Sequence, residues 1–322
     1  MPAPYQALAC IASTGCGCLT APRVKGHVVK GFCAARTVIV TGAGQGLGRA
    51  HALEFARQGA NVVVNDVESS RAAAQAVVDE ILASGGRAVV STGDVSDWAY
   101  GERLVRETVE TFGGLHTLVN NAGINRDRML VNMSEQEWDL VQQVDLKGHF
   151  VPMRHAAAYW RDEAKAGREV AARVVNTSSG AGLMGSVGQG NYGAAKAGIA
   201  ALTQIAAVEW ARYGIVVNAI APSARTPMTE AVFAEAMAAP ETGFDAMDPA
   251  NVAPLVVWLG SDAARAVTGA VFEVAGGEVS LADGWRHGPA VTKGGRWEPE
   301  ELTDAIADLI ARSEPPTPVY GA

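Results

Sequence analysis

The sequence predicts an α/β protein, a single domain built on a doubly wound seven-stranded parallel sheet with helices on both faces. Three observations lead there. From Thr37 onward, short apolar runs alternate with longer amphipathic stretches, the pattern that successive βαβ units leave in a chain. The runs are rich in Val and Ile without polar alternation, as strands covered on both faces require. A length of 322 residues, with 48% hydrophobic and 19% charged residues, suits one large core better than two full domains.

Taken in order, residues 1–36 read as a flexible leader that holds all four cysteines, Cys10, Cys16, Cys18 and Cys33, together with His27. Cys16-Gly-Cys18 lacks the paired ligand spacing of a zinc site, so no metal is expected and the thiols read as reduced. The domain spans 37–277. Its strand runs are Thr37–Thr41, Asn61–Asn65, Arg87–Ser91, Thr117–Asn120, Arg173–Thr177, Ile215–Ile220 and Val271–Val274. Between them, Ser134-Glu-Gln-Glu137 is a capping box that opens a helix carrying Trp138, Val141 and Val144. Asp248-Pro249 sets a cap before a proline, and Val252 to Leu259 continue that helix. Residues 278–322 form a C-terminal extension with a short acidic helix from Pro299 to Arg312, where Leu302, Ile306, Leu309 and Ile310 share a face. Pro315-Pro316-Thr317-Pro318 marks a stiff tail.

A net charge of −8 argues against a nucleic-acid partner, because phosphate binding needs clustered Lys and Arg. No apolar run reaches the ~18 residues of a membrane span, and the N-terminus lacks the basic region and apolar core of a secretory signal. A cytoplasmic location without membrane partners is the expectation.

Thr41-Gly-Ala-Gly-Gln-Gly-Leu-Gly48 follows the first strand and opens a helix that runs on through Ala52, Leu53, Phe55 and Ala56. Glycines there let backbone N–H groups of the loop and helix start approach a pyrophosphate, and Gly42, Gln45, Gly46, Leu47 and Gly48 are the candidate contacts. The spacing departs from the strict G-x-G-x-x-G pattern, so the loop needs support from elsewhere. Asp66, at the end of the second strand run, supplies it. An acidic side chain at this point accepts hydrogen bonds from the adenosine ribose and repels a 2′-phosphate. With no Arg or Lys beside it, NAD is expected rather than NADP.

Tyr192-Gly-Ala-Ala-Lys196 puts a phenol and an ammonium one turn apart on one helix face. The pairing is chemically useful, because an ammonium stabilises the phenolate and lets a tyrosine trade protons with a substrate oxygen. Upstream, Asn176-Thr-Ser-Ser179 leaves the end of a buried strand, which brings a serine hydroxyl to the carboxyl edge of the sheet.

From Thr37 to about Gly277 these motifs together resemble the short-chain dehydrogenase/reductase family, whose Rossmann-type fold agrees with the order of elements. The family's glycine loop matches Thr41 to Gly48, and its Asn-Asn-Ala-Gly segment matches Asn120 to Gly123. The resemblance implies catalytic roles for Ser179, Tyr192 and Lys196. It also implies cofactor contacts from Asp94, Val95, Asn121, Ala122, Gly123, Tyr192, Lys196, Pro222 and Thr226. Ser223 and Asp145 depart from the pattern. Ser223 stands where glycine is usual, and Asp145 occupies the place of the family's fourth catalytic residue, an asparagine that helps hold a relay water. A carboxylate there accepts hydrogen bonds and can pair with Lys196.

The wording around Asn176 to Tyr192 and Ala221 to Thr226 is similar to the dehydrogenase part of the peroxisomal multifunctional enzyme. That likeness implies a lipid-metabolic substrate, a 3-hydroxyacyl thioester or a hydroxysteroid, while the Met and Phe residues of the segment Ala224 to Met237 read equally as an apolar substrate surface or as a lid helix packed on the core. A 3-oxoacyl-thioester reductase and a non-catalytic NAD-binding module are the competing readings. The resemblance further implies a homodimer or homotetramer, assembled through the helix with Ile199, Leu202, Ile205, Ala206 and Trp210 and its neighbour, although that apolar face is equally expected for packing onto the sheet.

Overall fold

The computed structural model describes residues 31–227 and 237–314. Expectations for Cys10, Cys16, Cys18, His27, residues 228–236 and the proline tail lie outside the described residues.

The domain is one sheet ordered β3-β2-β1-β4-β5-β6-β7-β8. The seven expected strands are all present and parallel: β1 Thr37–Val40, β2 Asn61–Asp66, β3 Arg87–Thr92, β4 Thr117–Asn120, β5 Ala172–Thr177, β6 Ile215–Ser223 and β7 Val271–Ala275. An eighth strand, β8 Glu278–Leu281, lies antiparallel on β7 in what the sequence assigned to the extension. Gly276-Gly277 makes the two-residue turn between them, with Gly276 at φ 54°, a hairpin signal the apolar-run reading passed over.

Side chains alternate across the sheet and build two cores. Val38, Val40, Val62 and Val64 point toward α1 (Gly46–Arg57), α2 (Arg71–Ala83) and α8 (Ala253–Leu259). Ile39, Val63, Leu118 and Val174 point toward α3 (Trp98–Phe112), α5 (Gly148–Lys165) and α7 (Gly190–Trp210). Two short helices complete the domain, α4 (Glu135–Val141), opened by the expected Ser134 and Glu137 capping box, and α6 (Gly180–Met184). In the extension, α9 (Leu302–Arg312) leaves Ile306 and Ile310 exposed.

Residues 31–36, given to the leader by the sequence, fold onto the base of the domain. Cys33 is fully buried and donates its N–H to the Gln58 carbonyl at 2.9 Å. Arg36 donates to Asp262 at 2.6 Å and to the Ala171 carbonyl at 2.8 Å, gathering strand starts at the amino edge. The carboxyl edge is thereby left for ligands. The sheet order reverses between β1 and β4, and this switch point opens a crevice there. Among the described residues, no helix is long and apolar enough to cross a membrane.

Candidate active site

The glycine loop lies between β1 and α1 and is locked to the loop after β4. Thr41 Oγ1 accepts the N–H groups of Asn121 at 2.9 Å and Ala122 at 3.0 Å. In return, Asn121 Nδ2 donates to the carbonyls of Thr41 at 3.0 Å and Gly42 at 3.2 Å. Approach this close needs glycine. Gly42 has φ +60°, and a Cβ there would stand 2.8 Å from the Ala122 Cα. A Cβ on Gly48 would stand 2.2 Å from the Gly42 carbonyl oxygen. Helix α1 then begins at Gly46 with no side-chain cap from Gln45 and no acidic residue in its first turn. Leu47 lies in the same turn, so a cradle of N–H groups faces the crevice, as a pyrophosphate requires. Thr226, just after β6, packs against Gly46, its methyl 3.5 Å from where a Cβ would be. Pro222 lies within β6.

Asp66 ends β2 beside this cradle. Its Oδ2 accepts the Gly44 N–H at 2.9 Å and its Oδ1 the Val67 N–H at 2.8 Å. Neighbouring cations are already paired, Arg71 with Glu68 at 2.6 Å and Arg49 with Glu80 at 2.5 Å. Just past the end of β3, Asp94 Oδ1 accepts from both the N–H and hydroxyl of Ser96 at 2.8 Å, and Val95 is buried.

Across the crevice, α7 carries Tyr192 and Lys196. Lys196 is buried, and its Nζ donates to the Thr177 carbonyl at 3.0 Å and lies 5.3 Å from the Tyr192 ring centre. Its third neighbour is Asp145 Oδ2 at 3.2 Å, a carboxylate with no solvent exposure. Asp145 Oδ1 accepts the Ile124 N–H at 2.8 Å. Gly123 passes against this pair, since a Cβ on it would stand 2.9 Å from Asp145 Oδ2 and 3.3 Å from Lys196 Nζ. Burial alone would lower the lysine, but the Asp145 carboxylate, helped by Tyr192, holds it above the usual lysine range. For Asp145 the balance is opposite: burial pushes its carboxyl up against the pull of Lys196.

Ser179 caps α6, its Oγ accepting the Ala181 N–H at 3.2 Å, which leaves the hydroxyl proton to donate elsewhere. The structure therefore brings Ser179, Tyr192, Lys196 and Asp145 to the same edge as the glycine loop. Asp94 and Val95 stand in the segment that follows β3.

Sequence reasoning missed three features. Asp145 lies on a π-helical turn, Gln142–Lys147, joining α4 to α5. Asn191, fully buried, donates to the Arg126 and Glu137 carbonyls, both at 3.0 Å, and so pins the residue before Tyr192. Its position in Asn191-Tyr192 was visible, but its partners come from the loop at Arg126 and from helix α4. His149 follows Asp145 by one turn, a spacing the sequence displays. Around the mouth, Leu130 packs over Gly190, where a Cβ would stand 2.2 Å from the Leu130 side chain, and Met129, Val131, Val187 and Phe244 are exposed.

Comparisons with known proteins agree with this architecture. A family model described as short chain dehydrogenase matches residues 36–236. A hydroxyacyl-CoA dehydrogenase of Mycobacterium tuberculosis, ChsB1, is 50% identical over 287 residues, covering 87% of this chain and 90% of that protein. The peroxisomal multifunctional enzyme type 2 of Mus musculus is 42% identical over 249 residues, covering 75% of this chain and 32% of that longer protein. A solved short chain dehydrogenase from Mycobacterium avium, 60% identical, superposes with a TM-score of 0.83 over 91% of this chain and 100% of its own.

Proposed function

Because this chain belongs to the short-chain dehydrogenase family, oxidoreductases that use NAD(P) on CH–OH donors, we propose that it interconverts a 3-hydroxyacyl thioester and its 3-oxo form with NAD. The observation that carries the reading is Lys196 Nζ held 5.3 Å from the Tyr192 ring at the carboxyl edge, facing the glycine cradle.

The chain's own residues supply the acid–base chemistry. Ser179 donates its hydroxyl to the substrate oxygen and orients it. Tyr192 takes the proton from that oxygen during oxidation and returns it during reduction. Lys196 stabilises the phenolate and offers its remaining donor to the nicotinamide ribose. Gly42, Gln45, Gly46, Leu47 and Gly48 would hold the pyrophosphate, Asp94 and Val95 would border the adenine, and Asn121 to Gly123, Pro222 and Thr226 would line the path to the nicotinamide. A nicotinamide held there would supply the hydride acceptor for oxidation and the donor for reduction. NAD is favoured because Asp66 would meet the adenosine ribose with a carboxylate, and Arg71 and Arg49 are already paired with Glu68 and Glu80.

The thioester assignment draws on the names of the relatives and on the apolar rim of Met129, Leu130 and Val131 beside Gly190. A homo-oligomer is proposed through the groove of Leu146, Phe150, Leu202 and Ile205 between α5 and α7. A cytoplasmic location accords with this chemistry.

Absorbance at 340 nm with a panel of 3-hydroxyacyl-CoA thioesters, hydroxysteroids and simple secondary alcohols tests the reading. Turnover of the thioesters with NAD is expected, and Tyr192→Phe should abolish it while leaving NAD affinity within a few fold. Tight NAD binding without turnover of any substrate would instead identify a binding module.

A further inference from the structure

His149 sits wholly inside the protein, one turn past Asp145, yet both of its ring nitrogens are committed. Nδ1 lies 2.7 Å from the Asp145 carbonyl oxygen, an acceptor, so Nδ1 carries the proton. Nε2 then offers a lone pair and receives the Thr177 N–H at 3.4 Å. The same amide also faces the Asn120 carbonyl, its partner at the last rung of the β4–β5 ladder, so His149 adds a second acceptor to it. Strand β4 stops at Asn120, opposite Asn176, while β5 runs one residue further, and the next amide, Ser178, already turns to β6 at the Ile220 carbonyl, 2.7 Å away. A single neutral tautomer serves both contacts. Burial, reinforced by the Lys196 charge, holds His149 well below the usual histidine range, so the ring stays neutral under ordinary conditions.

The two groups that this ring joins are the two that hold Lys196. Asp145 presents its carboxylate to Nζ at 3.2 Å, and Thr177 presents its carbonyl at 3.0 Å. We propose that His149 is a positioning residue: its imidazole bolts the π-helical turn to the end of β5 and so fixes Lys196 against Tyr192. The proposal rests on the reading of Lys196 as the partner of Tyr192. Among the described residues, the titratable groups around Lys196 are Asp145 from the π-helical turn, Tyr192 from its own helix and the neutral His149 from α5. Gly123 and Thr177, from the strand ends, bring no charge.

The test compares His149→Val, which removes both contacts, with His149→Asn, which keeps a donor near the Asp145 carbonyl, and His149→Gln, which reaches toward Thr177. Tyrosinate absorbance at 295 nm, taken as the difference from each variant combined with Tyr192→Phe, reports the phenolate directly. Calorimetric titration with NADH reports the ribose-holding role. In His149→Val the phenolate should appear about one pH unit higher, a tenfold change in its population at a given pH. NADH binding should weaken severalfold, and His149→Asn and His149→Gln should each recover part of both effects. A folded His149→Val with unmoved absorbance and NADH affinity would overturn the proposal. Should His149→Val fail to fold, unshifted titrations in both His149→Asn and His149→Gln would overturn it equally. Neither readout needs a substrate, so failure of the thioester reading leaves this test standing.

Discussion

At Asp145 a carboxylate lies 3.2 Å from an ammonium, inside the protein, where water screens little of either charge. Asp145→Asn removes the negative charge and leaves Lys196 less compensated. The phenolate of Tyr192 is then favoured, so the acidic limb of kcat/KM for alcohol oxidation should move to lower pH, by up to about one unit. A limb that stays in place would show that Asp145 acts without its charge. The role proposed for Asp66 concerns a separate choice, between NAD and NADP. Asp66→Arg replaces repulsion of a 2′-phosphate with attraction, and the ratio of kcat/KM values should swing toward NADP by roughly tenfold or more. Tyr192, Lys196, Ser179 and Asp66 were legible because their meaning lies in short spacings along the chain. Asn191 and His149 were not. A buried amide or imidazole takes its role from partners, and theirs come from the loop at Arg126, from helix α4 at Glu137 and from the strand end at Thr177.

Among the elements, the glycine loop has the least freedom. Gly48→Ala would drive a methyl to 2.2 Å from the Gly42 carbonyl oxygen, a backbone atom with no side-chain rotation to move it aside. Overpacking of this kind costs about 1–3 kcal/mol. Thermal melts should show the loss, and NADH affinity should fall with it because the same N–H groups form the cradle. The strands could be read from their Val and Ile runs, and helix α4 from its capping box. Strand β8 was missed because Glu278 to Leu281 is exposed throughout and leaves no apolar run, although the Gly276-Gly277 turn announced it. The π-helical turn left no local signal, since its extra residue is held by packing against α7 and the loop at Ile124.

For the molecule as a whole, buried histidines set the response to acid. His51 is fully buried, and burial pushes it down to about 3, while His149 is also held well below its usual range. The unfolded chain binds these protons near 6.5, and the folded protein does not until far lower pH. Stability is therefore complete above about pH 6.5 and lost as pH falls below it, by roughly 1.4 kcal/mol per pH unit for each such histidine. Urea midpoints should drop between pH 7 and pH 5, and His51→Leu should flatten that slope.

The sequence by itself determined the α/β class, the seven parallel strands, the family and the residues that head the candidate site, because periodicity, turn chemistry and motif spacing are local properties of a chain. Tertiary structure decided what surrounds those residues. It joined the glycine loop to Asn121 through Thr41, closed Gly123 over Asp145 and Lys196, and set His149 between a turn and a strand that meet only when β4 and β5 lie side by side. Charge and hydrogen bonding act through space over a few ångströms, and the distance between two residues along a chain does not carry that information.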